Sequence, residues 1–329
     1  MSKYFSYNFN KKLSMQKLKK SLLLLALYGI TAYASNISDE EAARIAQDAH
    51  LSSINALLIF TSQDGLNSGI YHFKQIGIDM EIYNLPFIYT FDSKAKKLEY
   101  FIVGNVGYSR VFISKDAEID LPPNRLNYKN HIRTYTAGLG GGIRYHINED
   151  FSCSGGIELI YSLSGVSIKD PDDDIGDAIT DLFKQNYNNN ISYKLFGSLE
   201  YIPKIQDFKP YARLSYKIFD TKSTFTFDEL ASFNTQSMLG TLTLGAETNA
   251  LFSYNTHYLT LQSYLDINNI QGEVADTVQF NNFATLGAVA YWYVNGKPSW
   301  IERYFLEVST VRADGLEGYN IGFGFTLDF

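Results

Sequence analysis

Along most of this chain, apolar and polar residues alternate singly. Tyr319, Ile321, Phe323, Phe325, Leu327 and Phe329 are apolar or aromatic, with Asn320, Gly322, Gly324, Thr326 and Asp328 between them. A period of two predicts a strand with one apolar face and one small or polar face. The same pattern recurs upstream. Leu286, Ala288, Ala290 and Trp292 alternate with Thr285, Gly287, Val289 and Tyr291, and Leu259, Leu261, Leu265 and Ile267 with Thr260, Gln262, Tyr264 and Asp266. Ala212, Leu214, Tyr216 and Ile218 form a further apolar row, as do Tyr193, Leu195, Leu199 and Tyr201, and Tyr135, Ala137, Leu139, Ile143 and Tyr145.

These runs read as all-β. A sandwich would turn the apolar rows inward, and a transmembrane antiparallel β-barrel would turn them outward to lipid. Length favours the barrel, because sandwich strands are usually about 5–6 residues long and about 9–11 tilted residues cross a bilayer. The other face suits a wet lumen: Arg144, Lys194, Glu200, Arg213, Lys217, Glu247 and Asp266 are the lumen-facing candidates. Tyrosines and phenylalanines near the strand ends fit aromatic girdles.

The connections are expected to alternate in length. Tight turns are read at 92–97, 148–150, 204–209, 254–257 and 296–299, and longer links near 115–130, 169–190, 229–236, 272–281 and 313–318. Short periplasmic turns and longer external loops place the C-terminus on the periplasmic side. Ten strands follow from about residue 98 onward. In the first segment the apolar phase flips, from Ile76, Ile78, Met80 and Ile82 to Leu85, Phe87, Tyr89 and Phe91. A flip implies a turn or a bulge. A turn near 83–86 gives twelve strands, the expected number, since single-chain barrels are normally even. The count is ten if the first segment stays outside the sheet.

Ahead of the strands, Lys17, Lys19 and Lys20 precede the apolar run Leu22 to Leu27, and Ala32-Tyr33-Ala34 supplies a small-x-small box. This reads as a secretory signal peptide over 1–34, cleaved after Ala34; the run is too short for a membrane anchor. Met15 would give a signal of ordinary length, so translation is expected to begin there. Residues 35–69 form a second unit and 70–329 the barrel. Ser38 and Glu41 make a capping box before Ala42, Ile45, Ala46, Ala49, Ile54 and Leu57, which predicts a small-residue helix. It is read as a plug in the lumen, with a periplasmic helix as the other possibility. The polar, glycine-bearing stretch 62–69 ends it.

Composition narrows the classes. Mean hydropathy is −0.15 and only one short apolar run exists, which excludes a helical membrane bundle. The lone Cys153 excludes a disulfide framework. Loss of the signal removes six lysines and no acid, moving the formal charge from −7 to −13, so a nucleic-acid partner is disfavoured.

A signal peptide, a short alanine-rich helix, about twelve strands and a terminal phenylalanine resemble the translocator domain of autotransporters. Few residues separate Ser35 from the first strand, so the chain resembles a solitary barrel without a passenger. The resemblance implies insertion into the outer membrane of a Gram-negative bacterium by the barrel assembly machinery, among lipopolysaccharide. Phe329 is then the recognition residue of the C-terminal strand, with Phe325 and Phe323 beside it.

Candidate chemistry is sparse. Of the five histidines, only His131 is placed at the external rim, near Asn130 and Arg133, where a solvated or girdle role outweighs catalysis. Asp170, Asp172, Asp173, Asp174, Asp177 and Asp181 crowd one external loop. Calcium favours such oxygen clusters, but Gly176 falls one place late for an EF-hand loop, so a solvated loop is expected. No cofactor, metal or catalytic residue is assigned. The expected function is a non-enzymatic autotransporter-like barrel; a small passive pore and a rim-active enzyme are the alternatives.

Overall fold

The computed structural model describes residues 59, 67–74, 78–91, 97–113, 131–167, 188–203, 205, 208–224, 233–294 and 301–327. The expected signal segment, the expected capping box at Ser38, the aspartate-rich segment 170–181 and Phe329 lie outside these residues. Among the described residues the elements, besides the helical Ile59, are β1 (Asn67–Phe73), β2 (Ile78–Phe91), β3 (Leu98–Ile113), β4 (His131–His146), β5 (Phe151–Ser167), β6 (Asn188–Tyr201), β7 (Phe208–Thr224), β8 (Phe233–Thr248), β9 (Phe252–Tyr254), β10 (His257–Gly272), α1 (Glu273–Val278), β11 (Asn282–Tyr293), β12 (Ile301–Ala313) and β13 (Leu316–Leu327).

Twelve of the strands form a closed antiparallel barrel. Each pairs with the next, β10 pairs with both β8 and β11, and β13 returns to β1, with Ser68 opposite Ile321 and Phe73 opposite Leu316. Closure removes the free edges that an open sheet of this length would expose. The three-residue β9 is additional and pairs only with the start of β10.

Two expectations are corrected. The count of twelve holds, but no turn occurs at 83–86. β2 runs unbroken from Ile78 to Phe91, and the first hairpin reverses between Phe73 and Ile78. The apolar phase flips because β2 is apolar on different faces in its two halves. Ile78, Met80 and Ile82 are buried inside the barrel, whereas Tyr83, Leu85 and Phe87 are exposed on its outer wall. The link near 313–318 is not long either: Asp314 and Gly315 make a two-residue turn, with Gly315 at φ 78°. That left-handed conformation favours glycine.

The outer wall is a continuous display of the alternating apolar rows. Phe323 is 73% exposed and Ile157 68%, and Leu139, Tyr193, Leu214 and Leu286 are exposed like them. A protein surrounded only by water rarely exposes so large a contiguous apolar surface.

Inside, aromatic rings lie flat over glycines on the neighbouring strand. Tyr264 covers Gly287, Tyr211 covers Gly245, Tyr71 covers Gly318 and Phe101 covers Gly142. A Cβ on Gly287 would stand 2.2 Å from the Tyr264 ring, whereas one on Gly197 would meet nothing closer than 3.6 Å. Gly287→Ala should therefore displace the Tyr264 ring from its hydrogen bond to Glu307 and cost about 1–3 kcal/mol. Gly197→Ala should change stability by less than about 0.5 kcal/mol. Denaturation midpoints from the mobility difference between heated and unheated samples on gels would check both.

Candidate functional site

Among the described residues, the interior of the barrel gathers polar and charged side chains in a shielded volume, and it is divided into two layers. The end of the barrel where β13 terminates is the C-terminal rim, and the opposite end is the far rim. In the half nearer the far rim an apolar cluster fills part of the lumen, beside buried small polar residues such as Ser109, Thr134, Ser164, Ser192 and Ser223. Tyr71, Met80, Ile82, Phe219, Leu239 and Val311 point inward and are buried. This overturns the expectation of a polar lumen throughout.

The helix α1 completes this layer. It lies in the β10–β11 connection and places Val274, Ala275 and Val278 against the strand residues, while Glu273 and Asp276 stay exposed. Both its ends take positive φ, Gly272 at 85° and Gln279, in the left-handed helical region, at 64°. At Gly272 a Cβ would stand 2.3 Å from the Gln236 carbonyl oxygen, so only glycine lets the chain turn in there. Phe280, just past the helix, stacks on Phe73 at 6.2 Å and lies against Phe283 at 6.3 Å. Ile59 is fully buried in the same cluster, so the chain ahead of β1 also reaches this layer.

Toward the C-terminal rim the lumen becomes polar. A cavity of about 280 Å³ is lined by Arg213, Lys217 and Arg303 on the cationic side and Asp266 and Glu307 on the anionic side, with Tyr211, Tyr264 and Tyr291 between them. Tyr264 donates to Glu307, and Gln262 donates to Tyr211. Arg303 lies over the Tyr291 ring at 4.4 Å and donates to the Tyr293 hydroxyl at 2.6 Å. The Tyr293 hydroxyl in turn donates to Glu247 at 3.1 Å, and Thr260 donates to the same carboxylate at 2.7 Å. Charged groups held in such networks keep fixed positions, which favours a shaped cavity over a loose aqueous bore.

The seven lumen-facing candidates all sit on the face opposite the exposed apolar rows. Five of them are joined to partners by described contacts. Arg213 grips Glu200 at 2.6 and 3.0 Å. Arg144 reaches Glu99 at 3.3 Å, where His146 also bonds at 2.8 Å. Lys194 meets Glu158 at 2.8 Å, and Glu247 is held as described above. Lys217 and Asp266 line the cavity. Asn105 also donates to Glu158, whose side chain is 2% exposed, and a Cβ on Gly138 would stand 2.5 Å from that carboxylate. Sequence reading missed Glu158, Arg303 and Glu307. Their signal was present, since Glu158 alternates with exposed Ile157 and Leu159, and Arg303 and Glu307 with Tyr304, Leu306 and Val308.

The remaining candidates are scattered. His131 lies at the far rim, and its Nε2 accepts from Arg133 at 2.6 Å. His72 pairs with Asp79 at 2.7 Å on the outer wall. Phe323 and Phe325 are exposed on β13. Among the described residues, no group of three or more His, Cys, Asp or Glu could hold a metal ion.

No protein-family model matches this sequence, and no curated protein matches it significantly. Solved structures do match its fold. The translocator domain of the autotransporter NalP from Neisseria meningitidis superposes with a TM-score of 0.57 at 9% identity, covering 88% of this chain and 98% of that one. The beta domain of the Bordetella autotransporter BrkA gives 0.51 at 9% identity, covering 79% and 96%. The fold of this chain is that of an autotransporter translocator barrel.

Proposed function

We propose that the chain is an integral outer-membrane β-barrel of the autotransporter-translocator type, non-enzymatic, whose lumen is closed in this conformation. The observation that carries the reading is the outer wall. Its exposed apolar rows are bounded by aromatic residues around a barrel with no free edge, as a lipid-facing band with two girdles requires. The connections at the C-terminal rim that span 147–150 and 202–207 are shorter than those spanning 114–130 and 168–187 at the far rim, which supports a periplasmic C-terminal rim. In that orientation the apolar layer with α1 closes the external half of the lumen. Phe323, Phe325 and Phe329 serve as the assembly signal of the closing strand. The engaged Nε2 of His131 supports a non-enzymatic role, because a general base needs a free lone pair there.

The polar cavity favours a second reading, a small channel that opens when the apolar layer moves aside. One experiment tests both. The full chain, reconstituted into lipid vesicles and planar bilayers, should insert, resist protease over the barrel and leave the bilayer current near baseline. Steady large conductance would replace the closed barrel with the channel, and failure to insert would remove the membrane reading altogether.

A further inference from the structure

On the outer wall near the far rim, strands β2, β3 and β4 carry three residues side by side in each row. Tyr83, Tyr108 and Tyr135 occupy one row in direct register, with ring centroids 6.1 and 5.1 Å apart. One step nearer the rim, Glu81, Arg110 and Arg133 occupy the next. The tyrosine row marks the edge of the apolar band. On β4 the outward residues from Tyr135 to Tyr145 are Ala137, Leu139, Gly141 and Ile143, and that length of tilted strand rises about 25 Å, the height of a lipid-facing band. Arg110 and Arg133 therefore stand just beyond the hydrocarbon, at the level of lipid headgroups.

Their arrangement is unbalanced. Arg110 and Arg133 are direct cross-strand partners on β3 and β4, a like-charge pairing that destabilises a sheet unless something offsets it. Arg110 shares one carboxylate, Glu81, at 2.8 Å, and its Nε is buried without a hydrogen-bond partner. Arg133 gives its Nε to His131, and no carboxylate among the described residues pairs with it. Across β5 the register places Gly165 beside Arg133, which adds no side chain to the row. Elsewhere at the same rim Arg312 is balanced, by Glu317 at 3.3 Å.

We propose that Arg110 and Arg133 form a binding site for a phosphate of outer-leaflet lipopolysaccharide, with the tyrosine row packing against the acyl-chain side of the same glycolipid. Guanidiniums bind phosphate through paired, charge-assisted hydrogen bonds, and tyrosines suit the boundary between chains and headgroups. The site rests on the membrane reading above and adds a ligand and its residues to it. The phosphate supplies the missing negative charge between the two arginines.

The test uses the full chain in detergent micelles, titrated with bisphosphorylated lipid A, the same glycolipid without phosphates, or phosphatidylglycerol, with bound lipid counted by native mass spectrometry. Bisphosphorylated lipid A should bind the parent chain tightest. Arg133→Gln leaves the Arg110–Glu81 pair in place and should weaken that binding about tenfold, with a greater loss for Arg110→Gln combined with Arg133→Gln. Arg133→Lys should recover part of it, and Lys222→Gln, exposed on β7, should change nothing. Unchanged affinity in Arg133→Gln would overturn the site, as would equal binding of phosphatidylglycerol or of the dephosphorylated glycolipid. Insertion into vesicles, measured on the same samples, separates this failure from failure of the membrane reading.

Discussion

Replacing residues 271–280 with a two-residue Asn-Gly turn should convert a silent barrel into a conducting one. The register permits it: Asn269 lies opposite Asn282, and Ile270 donates to the Asn281 carbonyl at 2.6 Å, so a two-residue hairpin can close directly after that pair. The variant withdraws Val274, Ala275, Val278 and Phe280 from the lumen and leaves the polar cavity below without its apolar roof. A milder probe is Val278→Asp. Val278 is 3% exposed, and an unpaired carboxylate there costs several kcal/mol, enough to shift a closed arrangement toward an open one by a factor on the order of 100. Single-channel recording should show resolved steps for the Asn-Gly variant and frequent openings for Val278→Asp, with heat-modifiable mobility retained in both. Silence in both would assign closure to the chain ahead of β1, whose Ile59 sits in the same cluster.

The outer wall was legible in the sequence because lipid-facing positions obey one rule along every strand. Tyr135 to Tyr145, Tyr193 to Tyr201 and Tyr319 to Phe325 each keep their period without interruption, and the closed twelve-stranded barrel follows from their number. The lumen was not legible to the same degree, because its two layers obey different rules. Ile78, Met80 and Ile82 point inward yet are apolar, so on β2 the lumen-facing row imitates a lipid-facing one and the period breaks at Asn84. When the apolar face of a strand switches sides at its midpoint, the pattern matches that of two strands joined by a turn. The helix α1 escaped for another reason. It is six residues long, carries two acids and gains its place from burial of three side chains rather than from helix propensity. Only Gly272, just before it, marks the turn inward.

Lys194→Met should be the most destabilising single change on the inner wall. Glu158 is 2% exposed and Lys194 13%, their charged atoms 2.8 Å apart, with Asn105 as the other described partner of the carboxylate. Removing the lysine leaves a buried charge that the single amide cannot offset, which costs about 3–5 kcal/mol. For a barrel of this size that corresponds to a fall of about 10 °C in the temperature at which unheated and heated samples become indistinguishable on a gel. Lys74→Met is the contrast. Its pair with Glu317 is equally short at 2.7 Å, but the side chains are 59% and 40% exposed, and its loss should cost no more than about 1 kcal/mol. The same distance with opposite consequences isolates burial as the cause. Glu158→Gln combined with Lys194→Met should return most of the lost stability, because the neutral amide needs no counter-charge and can still bond with Asn105. A double variant as unstable as Lys194→Met alone would place the cost in lost packing of the lysine stem over the Phe196 ring, whose centroid lies 5.4 Å from the ammonium, and not in the stranded charge.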